Sequence, residues 1–510
     1  MRAVHHEPCP APCPAPCPAS FNMAAHVLAR APELGAKSAL MIVTATEAER
    51  WSYARLEEAV RGAATGMLAL GLEPGARVLL RLGNTPEFAV AFLGAIAAGL
   101  VPVPTSSQLT APEITRLAAE LDPALVVAGE GIALPDHPAP VLRETALRGF
   151  EHLAPAPYAM GNPDRLAYII YTSGTSGRPR AVLHAHRAIW ARQMMHTGWY
   201  GLREDDRVLH AGAFNWTYTL GTGLMDPWSV GATALIPGEG VGADQIGLLL
   251  RRYDATIFAA VPGVYRQILR HEERLVLPCL RHGLSAGESL SPGLRAAWTA
   301  AAGVALHEAL GMSECSTFIS SCPARPAPEG SIGYPQPGRQ VAVLGPDGAP
   351  VARGKAGILA VHRSDPGLFL GYLNAPEETA ARFQGDWFVT GDTVTMAEDG
   401  AIAYVARSDD MMNAGGYRVS PLEVEAALMA CAGAGEVAAV ELRVKPEVSV
   451  IAAFYTGTAD SAALEAHAAR CLARYKQPRL YIQLHGLAKN ANGKLDRGAM
   501  RRAEEVLRGL

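Results

Sequence analysis

The sequence predicts an α/β protein in which a large N-terminal domain is joined to a small α+β C-terminal domain. Three observations carry this. From Phe21 to about Val405, short apolar runs rich in β-branched residues alternate with helical stretches, as in Arg77-Val-Leu-Leu-Arg81 followed by Glu87 to Ala98, and that alternation favours layered, largely parallel sheets. At Ala406 to Ala414 the chain turns polar, with Arg407-Ser-Asp-Asp410, and the pair Gly415, Gly416 then precedes a new helix. Beyond it, strands such as Val448 to Tyr455 mix with helices such as Ser461 to Tyr475. The boundaries expected are a leader at 1–20, the large domain at 21–406, a hinge at 407–410 and the small domain at 411–510. A chain of 510 residues is long enough for more than one core.

In chain order, Met1 to Ser20 comes first, with Cys9, Cys13 and Cys17 in the repeat C-P-A-P-C-P-A-P-C. Proline at every second or third position favours an extended, solvated strand, so a disordered leader is expected, with Met23 as an alternative start. The cysteine spacing fits no zinc pattern, and the other five of the eight cysteines are scattered. No apolar segment in these residues reads as a secretory signal, which favours a cytoplasmic location and reduced thiols. The longest apolar run, Phe88 to Val101, falls short of the roughly 18 residues a membrane span needs. It reads as a buried helix leading into a strand. A net charge of -4 argues against nucleic acid as the main partner. Ser420-Pro-Leu-Glu423 has the form of a capping box, which makes Glu423 a helix cap.

The run Leu166 to Ile170 reads as a strand, and Tyr171-Thr-Ser-Gly-Thr-Ser-Gly-Arg-Pro-Arg180 follows it. Its glycines let the backbone approach an anion, and its N–H groups and hydroxyls supply donors to phosphate oxygens. The spacing and lysine of a Walker A loop are absent. This loop resembles the signature of the adenylate-forming superfamily, and further family blocks follow in order: Ala286-Gly-Glu-Ser289, Gly311-Met-Ser-Glu314, Gly371-Tyr-Leu-Asn374, Trp387-Phe-Val-Thr-Gly-Asp392, Arg407 to Arg418, and Asn492-Gly-Lys494. Each block is weak alone. Their ordered occurrence from about residue 20 to about residue 500 is specific.

The resemblance implies a multi-subdomain adenylation domain with a mobile C-terminal lid, and a reaction that uses ATP, Mg²⁺ and coenzyme A. A carboxylate attacks the α-phosphorus of ATP, pyrophosphate leaves, and the acyl-AMP meets a thiol. Such chemistry depends on positioning and charge neutralisation. The phosphate loop would then be Thr172, Ser173, Gly174, Thr175, Ser176, Gly177 and Arg180, where Arg180 and Ala181 stand in place of the family's Lys and Gly. Arg keeps the charge but is not interchangeable with Lys. Lys494 would bridge the carboxylate and the α-phosphate, with Ala488 standing where the family has proline. Glu314 would help hold Mg²⁺, and Ser313 keeps the hydroxyl of the family's threonine. Asp392 would accept from both ribose hydroxyls. Gly287, Glu288 and Ser289, with Glu308, Ala309, Leu310, Gly311, Met312 and Ser313, would surround adenine and ribose, and Arg407 and Arg418 would lie near the nucleotide. Asp409 would be the hinge, and Gly415 and Gly416 would line the pantetheine path.

Trp216, Met225-Asp-Pro-Trp228 and Gly231-Ala232 resemble the pattern of acyl-CoA synthetases. Phe214-Asn-Trp-Thr217 offers no charge to an amino acid's ammonium, so an uncharged short or medium aliphatic or aromatic monocarboxylic acid is expected. Trp216, Thr217, Tyr218 and Met312 are the candidate pocket walls. The acyl-CoA or aryl-CoA synthetase reading stands beside two alternatives, a stand-alone enzyme that loads a carrier-protein thiol and a non-catalytic nucleotide-binding relative. Retention of Lys494, Glu314 and Asp392 speaks against the last. A homodimer stays open.

Overall fold

Short runs of Val, Ile, Leu and Ala form the strands, and the helices between them bury one face or the whole cylinder. The computed structural model describes residues 15–172, 179–407, 412–414, 417–445, 448–472, 474, 476–489 and 495–508. It divides into two units, one of Met1–Gln340 with Val361–Phe388, the other of Val341–Ala360 with Val389–Leu510.

The first unit is built on a nine-stranded sheet in the order Tyr334–Pro335, Ser316–Ser320, Leu306–Met312, His282–Ala286, Ile257–Ala260, Arg207–His210, Thr233–Pro237, Ser38–Val43 and Ala48–Ser52. From Leu306–Met312 across to Ser38–Val43 every pairing is parallel, and only the outer pairings are antiparallel. The central strands are buried on both faces, as parallel strands covered by helices must be. The order reverses at Arg207–His210, whose successor Thr233–Pro237 lies on one side while Ile257–Ala260 lies on the other. The carboxyl ends of strands at such a reversal are where open α/β sheets bind ligands.

A second sheet, Val101–Pro104, Arg77–Arg81, Leu125–Ala128 and Val141–Arg143, is parallel throughout. The apolar run from Phe88 is helix in Pro86–Ala97, buried at every position, and strand from Val101. Leu166–Thr172 and Arg180–Ala185 form an antiparallel hairpin, to which Gly371–Tyr372 adds a short third strand.

The second unit carries Ala434–Lys445 paired antiparallel with Val448–Gly457, which pairs in parallel with Leu480–Gln483. Helices Pro421–Met429 and Ser461–Cys471 supply Val424, Leu428, Leu464 and Ala468 to its core. Glu425 is buried because the Ala439 N–H donates to it at 2.8 Å and Arg497 donates to both its oxygens at 2.9 and 2.8 Å. One expectation is corrected here. Ser420 is the N-cap residue, but its hydroxyl donates to the Val405 carbonyl and does not cap the helix, while Glu423 pairs with Lys476. The hydroxyl is drawn to a tertiary acceptor, so the local capping box does not close.

Among the described residues no helix is long and apolar enough to cross a membrane, and the described cysteines are free thiols. The leader at 1–20 is described only from Ala15. Its carbonyl accepts from the Trp190 indole N–H at 2.7 Å, and Cys17 packs half-buried against the main core, where burial first and then Asp164 push its thiol up to about 11. A chain starting at Ala15 is therefore expected to melt with the full-length protein. A chain starting at Phe21 loses a hydrogen bond worth about 1 kcal/mol, a fall of about 2 °C by differential scanning fluorimetry. A drop of many degrees on removing residues 1–14 would contradict this.

Candidate active site

In the first unit, the carboxyl ends of the central strands bring the sequence blocks together. Arg207–His210 leads into Ala211 to Tyr218, His282–Ala286 into Gly287 to Ser289, and Leu306–Met312 into Ser313 and Glu314. Gly287 has φ of +90°, a conformation that favours glycine, and a Cβ placed there would lie 3.8 Å from the Trp216 indole. The Trp216 ring thus comes close to the Gly287 turn with its Cη2 edge, and two candidate groups from distant blocks meet.

The remaining candidates of these blocks divide by what holds them. Tyr218 is buried core: its hydroxyl donates to the Leu284 carbonyl at 3.2 Å and its ring meets His210 edge-on at 4.5 Å, so its pKa is pushed up by burial. Thr217 is half-buried beside it and Ser289 is exposed. Glu288 lies 3.8 Å from Arg266. Glu308 accepts from the Leu290 N–H and from Arg295, each at 2.9 Å, and burial, only partly offset by these two, pushes it up to about 7. Its carboxylate anchors the residue after Gly287–Ser289. Ala309 and Leu310 pair with Ser320 and Ile319, and a bulge follows before Gly311 and Met312 pair with Thr317 and Ser316. The bulge lies in the strand end that leads into Ser313 and Glu314, where bulges commonly re-aim side chains.

Thr172 pairs with Arg180 across the hairpin, and the candidate phosphate-loop residues Ser173, Gly174, Thr175, Ser176 and Gly177 lie outside the described residues. Arg180 pairs with Glu378 and stands 5.4 Å over the Tyr372 ring. The Tyr372 hydroxyl in turn donates to Glu314 Oε1 at 2.6 Å. Burial first, and then the Glu314 carboxylate, push the Tyr372 phenol up, so it stays protonated and remains a donor. Tyr372 and Glu378 are partners of the candidate residues Glu314 and Arg180 that sequence reasoning missed, although Tyr372 lies inside one of the quoted blocks.

Among the described residues no group of three or more His, Cys, Asp or Glu side chains could hold a metal ion. A single carboxylate with one oxygen oriented by a phenol does fit Mg²⁺, which usually takes one or two protein carboxylates and completes its shell with phosphate and water oxygens. Tyr372→Phe is expected to raise the KM for MgATP roughly tenfold, since one hydrogen bond to a charged group is worth about 1.5 kcal/mol, with the melting temperature little changed. An unchanged KM in a steady-state pyrophosphate assay would separate Tyr372 from that carboxylate's task.

In the second unit, Asp392 is buried, its N–H donates to Thr390 Oγ1 at 3.0 Å, and it accepts from the Tyr404 hydroxyl at 3.2 Å. Its backbone pairs with that of Arg407, and the backbone of Arg418 pairs with Asn413. Asp409, Gly415, Gly416 and Lys494 lie outside the described residues.

The profile of one family, AMP-binding enzyme, matches residues 29–373, more than half the chain. The chain belongs to the AMP-binding enzyme family. Its relatives within that grouping include the benzoate–CoA ligase of Thauera aromatica, 31% identical over 85% of this chain and 87% of that protein. The 4-hydroxybenzoate–CoA/benzoate–CoA ligase of Rhodopseudomonas palustris is 31% identical over 90% of each. Among solved structures, a benzoate CoA ligase from Burkholderia xenovorans LB400 superposes with a TM-score of 0.83 at 29% identity, covering 94% of this chain and all of that one. This AMP-binding enzyme therefore shares its large and small domains with known CoA ligases over nearly its whole length.

Proposed function

We propose that this chain is an AMP-forming aryl-CoA synthetase: an aromatic monocarboxylic acid and ATP give acyl-AMP and pyrophosphate, and the CoA thiol then gives acyl-CoA and AMP. The observation that carries the reading is the correspondence, along 85% and 90% of the chain, with two relatives named for benzoate. The Trp216 indole close to the Gly287 turn supports it, since aromatic side chains suit the recognition of aromatic substrates. Phe214 to Tyr218 carries no charge, which favours an acid with no second ionised group.

In this reading the adenylation half-reaction relies on Lys494 between the carboxylate and the α-phosphate, on the hydroxyls and N–H groups of Thr172 to Gly177 with Arg180 at the phosphates, and on Glu314 with Mg²⁺. Asp392, Arg407 and Arg418 are read as serving the ribose and phosphates of the nucleotide. Asp409 is the pivot that exchanges the lysine face for the face of Gly415 and Gly416, where CoA enters. The cytoplasm as compartment belongs to the same proposal. Pyrophosphate release over a panel of acids, with thioester formation followed in the presence of CoA and of a loaded carrier protein, tests it. Thioester with CoA supports it. Transfer only to the carrier would make the chain a carrier-loading enzyme, and no acid-dependent pyrophosphate with any acid would remove the reading.

A further inference from the structure

Two ion pairs in the first unit are buried almost completely, Arg192 with Asp226 and Arg339 with Asp365. A buried ion pair is often no better for stability than apolar residues of the same volume, so two of them beside one strand call for an account. Arg192 donates from Nε and Nη2 to the two Asp226 oxygens at 2.8 and 2.5 Å, and the Tyr200 hydroxyl donates to Asp226 Oδ2 at 2.7 Å. Its third nitrogen, Nη1, donates to the Ser316 hydroxyl. Arg339 donates from Nη1 to Asp365 Oδ1 at 2.5 Å and from Nη2 to the Thr317 carbonyl at 3.0 Å. Both guanidinium groups thus spend their outward arm on adjacent residues, the first two of the strand Ser316–Ser320, immediately after Glu314-Cys315.

The turn they hold is strained. Ser316 has φ of +61°, a left-handed conformation that a serine keeps only where its surroundings over-determine it. The other end of the Arg192 pair reaches the acid-pocket segment: Asp226 follows the π-helix Thr219–Met225, which begins directly after Tyr218, and Gly221 makes room for the Arg192 guanidinium where any Cβ would overlap it. One buried charge therefore ties the pocket segment to the Glu314 turn, and a second holds that turn from the Asp365 loop.

We propose that Arg192 is a positioning residue for adenylation, which through the Ser316 hydroxyl fixes the Ser313–Ser316 turn and so sets the place of the Glu314 carboxylate; the proposal rests on the reading of Glu314 as the Mg²⁺-associated acid. Ser316→Gly tests it without breaking either ion pair, because glycine accepts the left-handed conformation and only the hydroxyl is lost. The full-length enzyme is assayed for pyrophosphate release at limiting and saturating Mg²⁺, beside Glu314→Gln. The expected result is a roughly tenfold higher KM for MgATP at limiting Mg²⁺, the scale of one charge-assisted hydrogen bond, with the acid's KM and the melting temperature unchanged. An unchanged Mg²⁺ dependence in Ser316→Gly, while Glu314→Gln is impaired, overturns the positioning role alone. A uniform loss of kcat, both KM values and melting temperature would mark a merely structural contact and overturn it too. If Glu314→Gln itself keeps normal Mg²⁺ dependence, the reading of Glu314 fails and the proposal falls with it.

Discussion

Lys494→Ala is expected to lose acid-dependent pyrophosphate release by at least about a hundredfold, the usual scale for removing one preorganised charge from a transition state. The same variant should still form thioester from supplied acyl-AMP and CoA. The reason is chemical: in adenylation two anions, the carboxylate and the α-phosphate, must approach, and a compact ammonium between them lowers that barrier. In thiol attack the electrophile is already made and no second anion has to be brought up to the phosphorus. Equal losses in the two half-reactions would refute the bridging role, and near wild-type pyrophosphate release would refute it more directly.

The second large effect is substrate charge. An amino acid would bring its ammonium to Phe214 to Tyr218, a segment with no acidic side chain of its own, and burying an unpaired charge costs several kcal/mol. A dicarboxylic acid meets the converse difficulty, since the candidate walls Trp216, Thr217 and Met312 offer no cation of their own. Benzoate-like monocarboxylic acids are therefore expected to exceed both classes by well over tenfold in kcat/KM, about 1.4 kcal/mol or more of discrimination. A dicarboxylic or amino acid emerging as best substrate would mean that a charged group outside this segment enters the pocket.

How far the sequence carried these expectations depends on the range of the interaction concerned. The parallel sheets were legible because runs such as Ile257–Ala260 are apolar at every position, a signature of strands covered on both faces. The strand that leads into the glycine-rich segment was legible as the apolar run Leu166 to Ile170, whereas its antiparallel partner Arg180–Ala185 was not, because pairing across the loop is a tertiary outcome. The hydroxyl of Tyr372 on Glu314 was not, because the two residues lie 58 positions apart and tertiary contacts bring them together, the pairing of Gly371–Tyr372 with the hairpin strand and the Phe369 N–H that donates to the Glu314 carbonyl at 2.7 Å. Arg192 and Asp226 likewise look like ordinary helix-surface charges in sequence, and nothing local marks them as buried partners. Ser420 shows the same limit from the other side. Its spacing to Glu423 satisfies a local rule, and a tertiary acceptor, the Val405 carbonyl, takes the hydroxyl away. Among the pocket candidates, Tyr218 turned inward to the Leu284 carbonyl while Trp216 stayed at the Gly287 turn, a division that two neighbouring aromatic positions do not reveal by themselves.

The central claim is that this chain joins an aromatic acid to CoA through an acyl-adenylate. Incubation of the full-length protein with benzoate, MgATP and CoA, with products resolved by chromatography and mass, tests it most directly. The account predicts benzoyl-CoA, AMP and pyrophosphate in equal amounts, and benzoyl-AMP with pyrophosphate when CoA is omitted. Formation of ADP and phosphate in place of AMP and pyrophosphate, or of no product from any aromatic acid with MgATP, would contradict it.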